Sequence, residues 1–276
     1  MTQAALQHPP LRIAIAGLGA IGKSIATSLA AGRVPGVELT AVSAKNHEKA
    51  KEFVATLAHS VKVLNIADLE TEADLVIECA PASLLPEIAT PFLKAKKQVI
   101  VLSVGALLFH PELIKMAQEE GGVIHVPTGA LIGLDAMIAA AEGKIHSVRM
   151  VTRKPPKGLA GAPHLIEHNI SIEGLTEAKK VFEGNARDAA KGFPANLNVV
   201  VALALAGVGP ENTLLEIWAD PAVVRNTHTI VVDSDSAKFT MTMENIPSEN
   251  PKTGRIVAQS VIAMLRKMRS GFKVGT

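Results

Sequence analysis

The stretch Leu11 to Gly22, LRIAIAGLGAIG, constrains this chain more than any other. Leu11–Ala16 is mainly apolar, partly β-branched and ends at a glycine, which is the pattern of a buried parallel strand. Gly17-x-Gly19-x-x-Gly22 follows at once and opens onto good helix formers. In a dinucleotide site the three glycines have separate jobs. Gly17 permits the tight turn, Gly19 lets the backbone approach a pyrophosphate, and Gly22 lets the helix pack closely on the strand. The pyrophosphate then meets the backbone of Ala20, Ile21 and Gly22 at the positive end of the helix. Alone, a glycine motif is a weak signal; the strand before it and the helix after it make it a nucleotide site.

Composition removes several other classes. The 276 residues suit two domains, and a net charge of +2 offers no field for nucleic acid or an anionic membrane surface. One cysteine, Cys79, excludes an internal disulfide framework and a cysteine-rich zinc site, so no metal is expected. No apolar run reaches the roughly 18 residues of a membrane helix. The opening MTQAALQHPP lacks the pattern of a signal peptide. The expectation is a cytoplasmic protein with a small-molecule substrate and no nucleic-acid or membrane partner. The chain contains no tyrosine, which rules out Tyr-x-x-x-Lys dehydrogenase chemistry. An acid or base must come from His, Lys, Asp, Glu or Cys.

Strands are expected at Val37–Val42, Val61–Leu64, Asp74–Cys79, Gln98–Leu102 and Val123–Val126. They alternate with helices at Lys23–Ala31, Lys49–Ala58, Leu84–Lys96 and Pro111–Glu120, which predicts a doubly wound parallel sheet. Ligands bind outside the carboxyl ends of such strands. Ser43, Cys79, Ala80 and Ser103 are therefore candidates to line the cofactor, with Cys79 read as a small packing residue. The second strand exits into Ser43-Ala44-Lys45-Asn46 with no carboxylate to hold a ribose 2′-hydroxyl, so NAD or NADP is expected.

The texture changes after Pro127. A glycine-punctuated loop, Thr128–Asp135, leads into a helix through Ala141. His146–Arg153, Asn169–Glu173, Asn212–Trp218, Thr229–Asp233 and Lys238–Asn245 read as strands. In the last, Phe239, Met241 and Met243 share one face while Thr240 and Thr242 share the other. Thr176–Lys191 and Leu197–Ala206 read as helices, and so does Lys252–Arg269. The predicted architecture is a Rossmann-type doubly wound parallel sheet in residues 1–127, with 248–276 returning to it. A second α+β domain with a mainly antiparallel sheet occupies 128–247.

Polar clusters mark the second half. Asp220-Pro221 reads as a helix start, followed by Arg225, Asn226 and His228 between two strands. Asn196 and Asn198 open an apolar helix, as N-caps or as amides for a ligand. Glu249-Asn250-Pro251-Lys252-Thr253 reads as turn chemistry or an anion contact. His228 is either a structural histidine or the one that does chemistry.

The segments GLGAIG, VIECA, PTGALIGLDA, TRKPP, FPANLNVVVALALAGVGP, ADPAVVRNTH and ENPKTG, in this order along essentially the whole chain, together resemble the L-aspartate dehydrogenase family. The resemblance implies NAD(P)-dependent oxidative deamination of L-aspartate to oxaloacetate and ammonia through iminoaspartate. It also implies a homodimer formed through the sheet of the second domain and, in some members, supply of iminoaspartate for NAD synthesis. His228 matches the family histidine, and Ala130 with Asn198, or Asn196 as the close alternative, match NAD-contacting positions. A dianionic substrate needs cationic or amide donors, for which Arg225, Lys154, His164, Lys252 and Thr253 are candidates. The rival readings are a homoserine dehydrogenase or dihydrodipicolinate reductase relative, and a non-catalytic NAD(P)-sensing protein.

Overall fold

The computed structural model describes residues 9–194, 197–246 and 254–276. Asn196, Lys252 and Thr253 lie outside the described residues. The chain divides into two compact units: the described residues up to Pro127 with Ala258–Val274, and Thr128–Val257 with the last two residues.

The first unit holds one parallel sheet of β1 (Leu11–Ala16), β2 (Val37–Ser43), β3 (Lys62–Val63), β4 (Leu75–Glu78), β5 (Gln98–Val101) and β6 (Val123–His125). Its spatial order, β3-β2-β1-β4-β5-β6, is that of the dinucleotide-binding fold, with the strand order reversing between β1 and β4. Helices α1 (Ala20–Ala30), α2 (His47–Val54), α3 (Leu69–Glu72), α4 (Leu85–Lys94) and α5 (Pro111–Glu120) connect the strands. Ile13 and Ile15 of β1, Leu39 of β2 and Ile77 of β4 are fully buried with Ile25 of α1. Near-continuous burial is what a sheet covered on both faces demands, and it explains the apolar run that opens the chain.

The second unit contains α6 (Leu134–Ala141), β7 (Ile145–Lys154), α7 (Pro163–Glu167), β8 (Lys179–Asn185), α8 (Ala186–Gly192), α9 (Asn198–Ala206), β9 (Thr213–Ala219), β10 (Asn226–Ser234) and β11 (Lys238–Asn245). The sheet runs β11-β10-β7-β9-β8; only the β7–β9 pair is parallel. One face, carrying Val148, Met150, Ile217, Ile230 and Val232, is buried. The other carries Arg149, Trp218, Thr229 and Thr242 and remains largely accessible. Helix α10 (Ile256–Arg269) packs Ala258, Val261 and Leu265 into the core of the first unit. There Arg266 donates to the carbonyl of Arg33 (2.7 Å).

Three local expectations are overturned. Thr176–Lys191 is not one helix: Lys179–Asn185 pairs antiparallel with β9, and only Ala186–Gly192 is helical. Pairing to a sheet edge, with Val181 buried, overrides the helix propensity of a Glu-, Ala- and Lys-rich stretch. Asn185 then caps α8, its Oδ1 accepting from the Asp188 N–H (2.8 Å). Asn169–Glu173 is not a strand. Asn169 takes a left-handed φ of 51° just past α7, as asparagine does at helix ends. Asp220-Pro221 starts no helix either. Asp220 Oδ1 accepts from the Ala222 N–H (2.9 Å), a turn that leads directly into β10.

Candidate active site

The first unit presents a cradle at the carboxyl ends of its strands. Gly17 has a φ of 103°, open essentially to glycine, and its N–H donates to the carbonyl of Ser43 (2.7 Å). A Cβ on Gly17 would lie 2.5 Å from the Cys79 carbonyl oxygen, and one on Gly22 would collide with the Gly17 carbonyl oxygen. Gly19 differs: its φ is −73°, and nothing lies within 4 Å of where its Cβ would be. Two glycines thus serve the protein's own packing and the third leaves space. The first turn of α1, Ala20 to Gly22, has neither a side-chain cap nor a carboxylate. Its positive end is therefore suited to a phosphate, and the residues present fit a dinucleotide.

Around this cradle, Ser43 is buried and holds the glycine turn through its carbonyl. Asn46 is occupied as the cap of α2, accepting from the Lys49 N–H (3.0 Å), and Lys45 is exposed. Burial, and then the neighbouring Glu78 charge, push the Cys79 thiol well above its ordinary value, which makes it a poor nucleophile. Glu78 is fully buried at the end of β4. Its Oε2 accepts from the N–H groups of Leu102 (3.1 Å) and Ser103 (2.8 Å), and its Oε1 from the Ser103 hydroxyl (3.0 Å). Burial raises its carboxyl above the usual range in spite of these donors. Glu78 therefore ties the exits of β4 and β5 together and holds Ser103 in place. The only mark of Glu78 in the sequence is a carboxylate inside the apolar run DLVIEC.

The second unit gathers its polar groups on the buried face of its sheet. His228 faces Thr152 directly across the β10–β7 ladder, and its Nδ1 lies 3.1 Å from Thr152 Oγ1. Lys154, two residues further along β7, shares that face and is as deeply buried. Burial, and then the Lys154 cation, hold His228 down to about 3. Burial alone lowers Lys154 to about 8. The imidazole is thus neutral at any ordinary pH, beside a cation that titrates at about 8. His228 lies within a strand, not in the preceding loop, because β10 begins at Asn226.

The other sequence candidates have different surroundings. Arg225 is exposed in the turn before β10. His164 of α7 stacks on His168 with ring centroids 4.1 Å apart and packs against Phe182 and Phe193. Asn198 is the first residue of α9, not its cap; that position is Leu197. The carbonyl of Ala130 accepts from Asn245 Nδ2 (3.1 Å). Thr152 and Asn245 belong with these candidates, because their places in alternating strands put them on the His228 face. Among the described residues, no group of three or more His, Cys, Asp or Glu could hold a metal ion. No helix among them is long and apolar enough to cross a membrane.

The dinucleotide-binding fold of the first unit and the buried His228 and Lys154 on one sheet face of the second fit a nicotinamide-dependent dehydrogenase. Residues 17–127 match the family described as homoserine dehydrogenase, NAD binding domain. Residues 135–268 match aspartate dehydrogenase, C-terminal. L-aspartate dehydrogenase 3 of Bordetella bronchiseptica is 60% identical over 96% of this chain and 98% of its own. L-aspartate dehydrogenase of Bradyrhizobium diazoefficiens is 56% identical over 96% and 94%. The crystal structure of aspartate dehydrogenase from Thermotoga maritima superposes with a TM-score of 0.75 at 25% identity, covering 96% of this chain and 99% of that one. The chain belongs to the L-aspartate dehydrogenase family.

Proposed function

We propose that the protein oxidatively deaminates L-aspartate, with NAD or NADP, to oxaloacetate and ammonia through iminoaspartate. Overall, L-aspartate, NAD(P)⁺ and water give oxaloacetate, ammonium, NAD(P)H and a proton. The observation that carries this reading is the pairing of neutral His228 with buried Lys154 on one face. A base and a carboxylate-binding cation are what an amino-dicarboxylate requires.

When bound, the nicotinamide accepts the hydride from Cα. The chain supplies the rest. Gly17, Gly19, Ala20, Ile21 and Gly22 hold the pyrophosphate, while Ser43, Cys79, Ala80, Ser103, Ala130 and Asn198, or Asn196, line the remainder of the cofactor. Lys154 pairs with a substrate carboxylate as a charge-assisted donor. Arg225, Lys252 and Thr253 are the further candidates for the second carboxylate, and His164 is the weakest because of its aromatic packing. In the tautomer in which Nδ1–H donates to Thr152 Oγ1, His228 presents a bare Nε2, which takes a proton from the amine or from the water that attacks the imine.

Residues 1–127 with 248–276 form the dinucleotide domain in this reading, and residues 128–247 the substrate and dimer domain. The accessible sheet face, with Leu214 52% exposed beside the Arg149–Glu216 ion pair and Trp218, is the proposed homodimer contact. The missing carboxylate after β2 supports use of NADP as well as NAD. A cytoplasmic location and delivery of iminoaspartate to NAD synthesis complete the proposal. The test is NAD(P)H formation with L-aspartate against homoserine and a panel of other amino acids at alkaline pH. Turnover selective for aspartate supports the reading, and silence with aspartate overturns it.

A further inference from the structure

Asn245 closes β11 on the face shared with Met241 and Met243, opposite Asn226 in register, and is buried. Its Nδ2 donates to the carbonyl of Ala130 (3.1 Å). That bond fixes the amide's orientation, because a flipped amide would set two acceptor oxygens against each other. Oδ1 is then an acceptor shielded from solvent, and it has no donor among the described residues. An acceptor buried and left unpaired costs about 1–3 kcal/mol, so native structures keep few of them. Gly254 packs closely on this amide: a Cβ there would lie 3.1 Å from Oδ1, tighter than ordinary contact, so only glycine at 254 keeps a side chain off the acceptor.

The register adds what the acceptor faces. His228 is opposite Met243, so Asn245 is its diagonal neighbour on the same face, about 7–8 Å away between Cα atoms. Two side chains at that spacing can hydrogen-bond one nitrogen placed between them. Lys154 is a donor only, so it suits a carboxylate and not an amine. A carboxylate at Oδ1 would set acceptor against acceptor. What Oδ1 needs is a nitrogen carrying hydrogen.

We propose that Asn245 Oδ1 accepts a hydrogen bond from the α-amino nitrogen of the substrate, seating it beside His228. The assignment rests on the reading of this unit as the aspartate site, and it makes Asn245 the residue that distinguishes an amino-dicarboxylate from a plain one. The experiment measures binding of L-aspartate and of succinate, which lacks the amine, to the protein saturated with NADH. NADH binding alone is recorded as a separate arm. Asn245→Ala is expected to reduce the preference for aspartate over succinate about tenfold, the worth of one buried hydrogen bond to a charged donor. Succinate affinity stays within about twofold in this variant.

Asn245→Asp loses the bond to Ala130 as the alanine variant does, but it keeps an acceptor and therefore the preference. This separates recognition of the amine from anchoring of the Ala130 loop, and it remains informative where the alanine variant folds poorly. An unchanged aspartate-to-succinate ratio in Asn245→Ala overturns the assignment. So does a loss confined to NADH, which would place the nicotinamide carboxamide at Oδ1. Failure of the unmodified protein to turn over aspartate would sink the functional reading itself; an unchanged ratio in an active enzyme sinks this inference alone.

Discussion

His228 and Thr152 stand directly opposite each other on neighbouring strands, with Nδ1 and Oγ1 3.1 Å apart in a buried setting. The ladder fixes both backbones, so the hydroxyl holds the direction of the imidazole ring.

Removing the imidazole isolates its chemistry. His228→Ala is expected to lower kcat by about 10²–10⁴ while binding of the dinucleotide changes by no more than a few-fold. Thr152→Val, which keeps the shape and removes the hydroxyl, should lower kcat by about tenfold with little change in KM. Steady-state kinetics beside NADH titration check both; a His228→Ala enzyme within a few-fold of the original kcat contradicts the catalytic role.

Lys154 predicts a pH dependence that can be read without the substrate amine. Its ammonium, lowered to about 8 by burial, binds carboxylates when protonated. Inhibition by succinate should therefore be constant below that value and weaken as pH rises through it, about tenfold per pH unit. The bound carboxylate favours the charged lysine, so the transition in the complex lies higher than in the free protein. Lys154→Arg should keep inhibition level across this range, because a guanidinium does not titrate there.

The same burial sets an acid limit on stability. His228 binds its proton near 3 when folded and near the ordinary 6.5 when unfolded. Between these values the unfolded chain holds the extra proton, so stability falls as pH drops through that window and is unaffected above it. The slope is at most about 1.4 kcal/mol per pH unit from this group. Denaturant unfolding at several pH values should show the slope, and His228→Gln should flatten it.

The glycine motif separates folding from binding. Gly19→Ala adds a methyl group into open space at a backbone angle alanine tolerates, so stability should change by less than about 1 kcal/mol. The methyl then occupies the approach of the pyrophosphate, and NADH affinity should fall at least about tenfold. Gly22→Ala drives a Cβ into the Gly17 carbonyl and should weaken both. Thermal melts beside NADH titrations distinguish the two; normal NADH binding by Gly19→Ala contradicts the cradle.

Much of this was legible from periodicity. Buried parallel strands advertise themselves as short apolar runs between helices, and β11 displayed its two faces as Met and Thr alternation. The edge strand Lys179–Asn185 was not legible, because its stability comes from pairing with β9 and its own residues favour a helix. The roles of Glu78 and Asn245 were hidden for a related reason. Each acts through partners far away in sequence, Ser103 and Ala130, that only the fold brings close. His228 was nominated by its motif, but its neutrality comes from burial and from Lys154 on another strand.

The most direct measurement of the central claim uses L-aspartate deuterated at Cα. The protein should transfer that deuterium as deuteride to the nicotinamide ring, giving singly deuterated NAD(P)H in step with oxaloacetate and ammonia, and His228→Ala should slow the transfer. Reduced cofactor without the label, or no reduction while NADH still binds, would contradict the account.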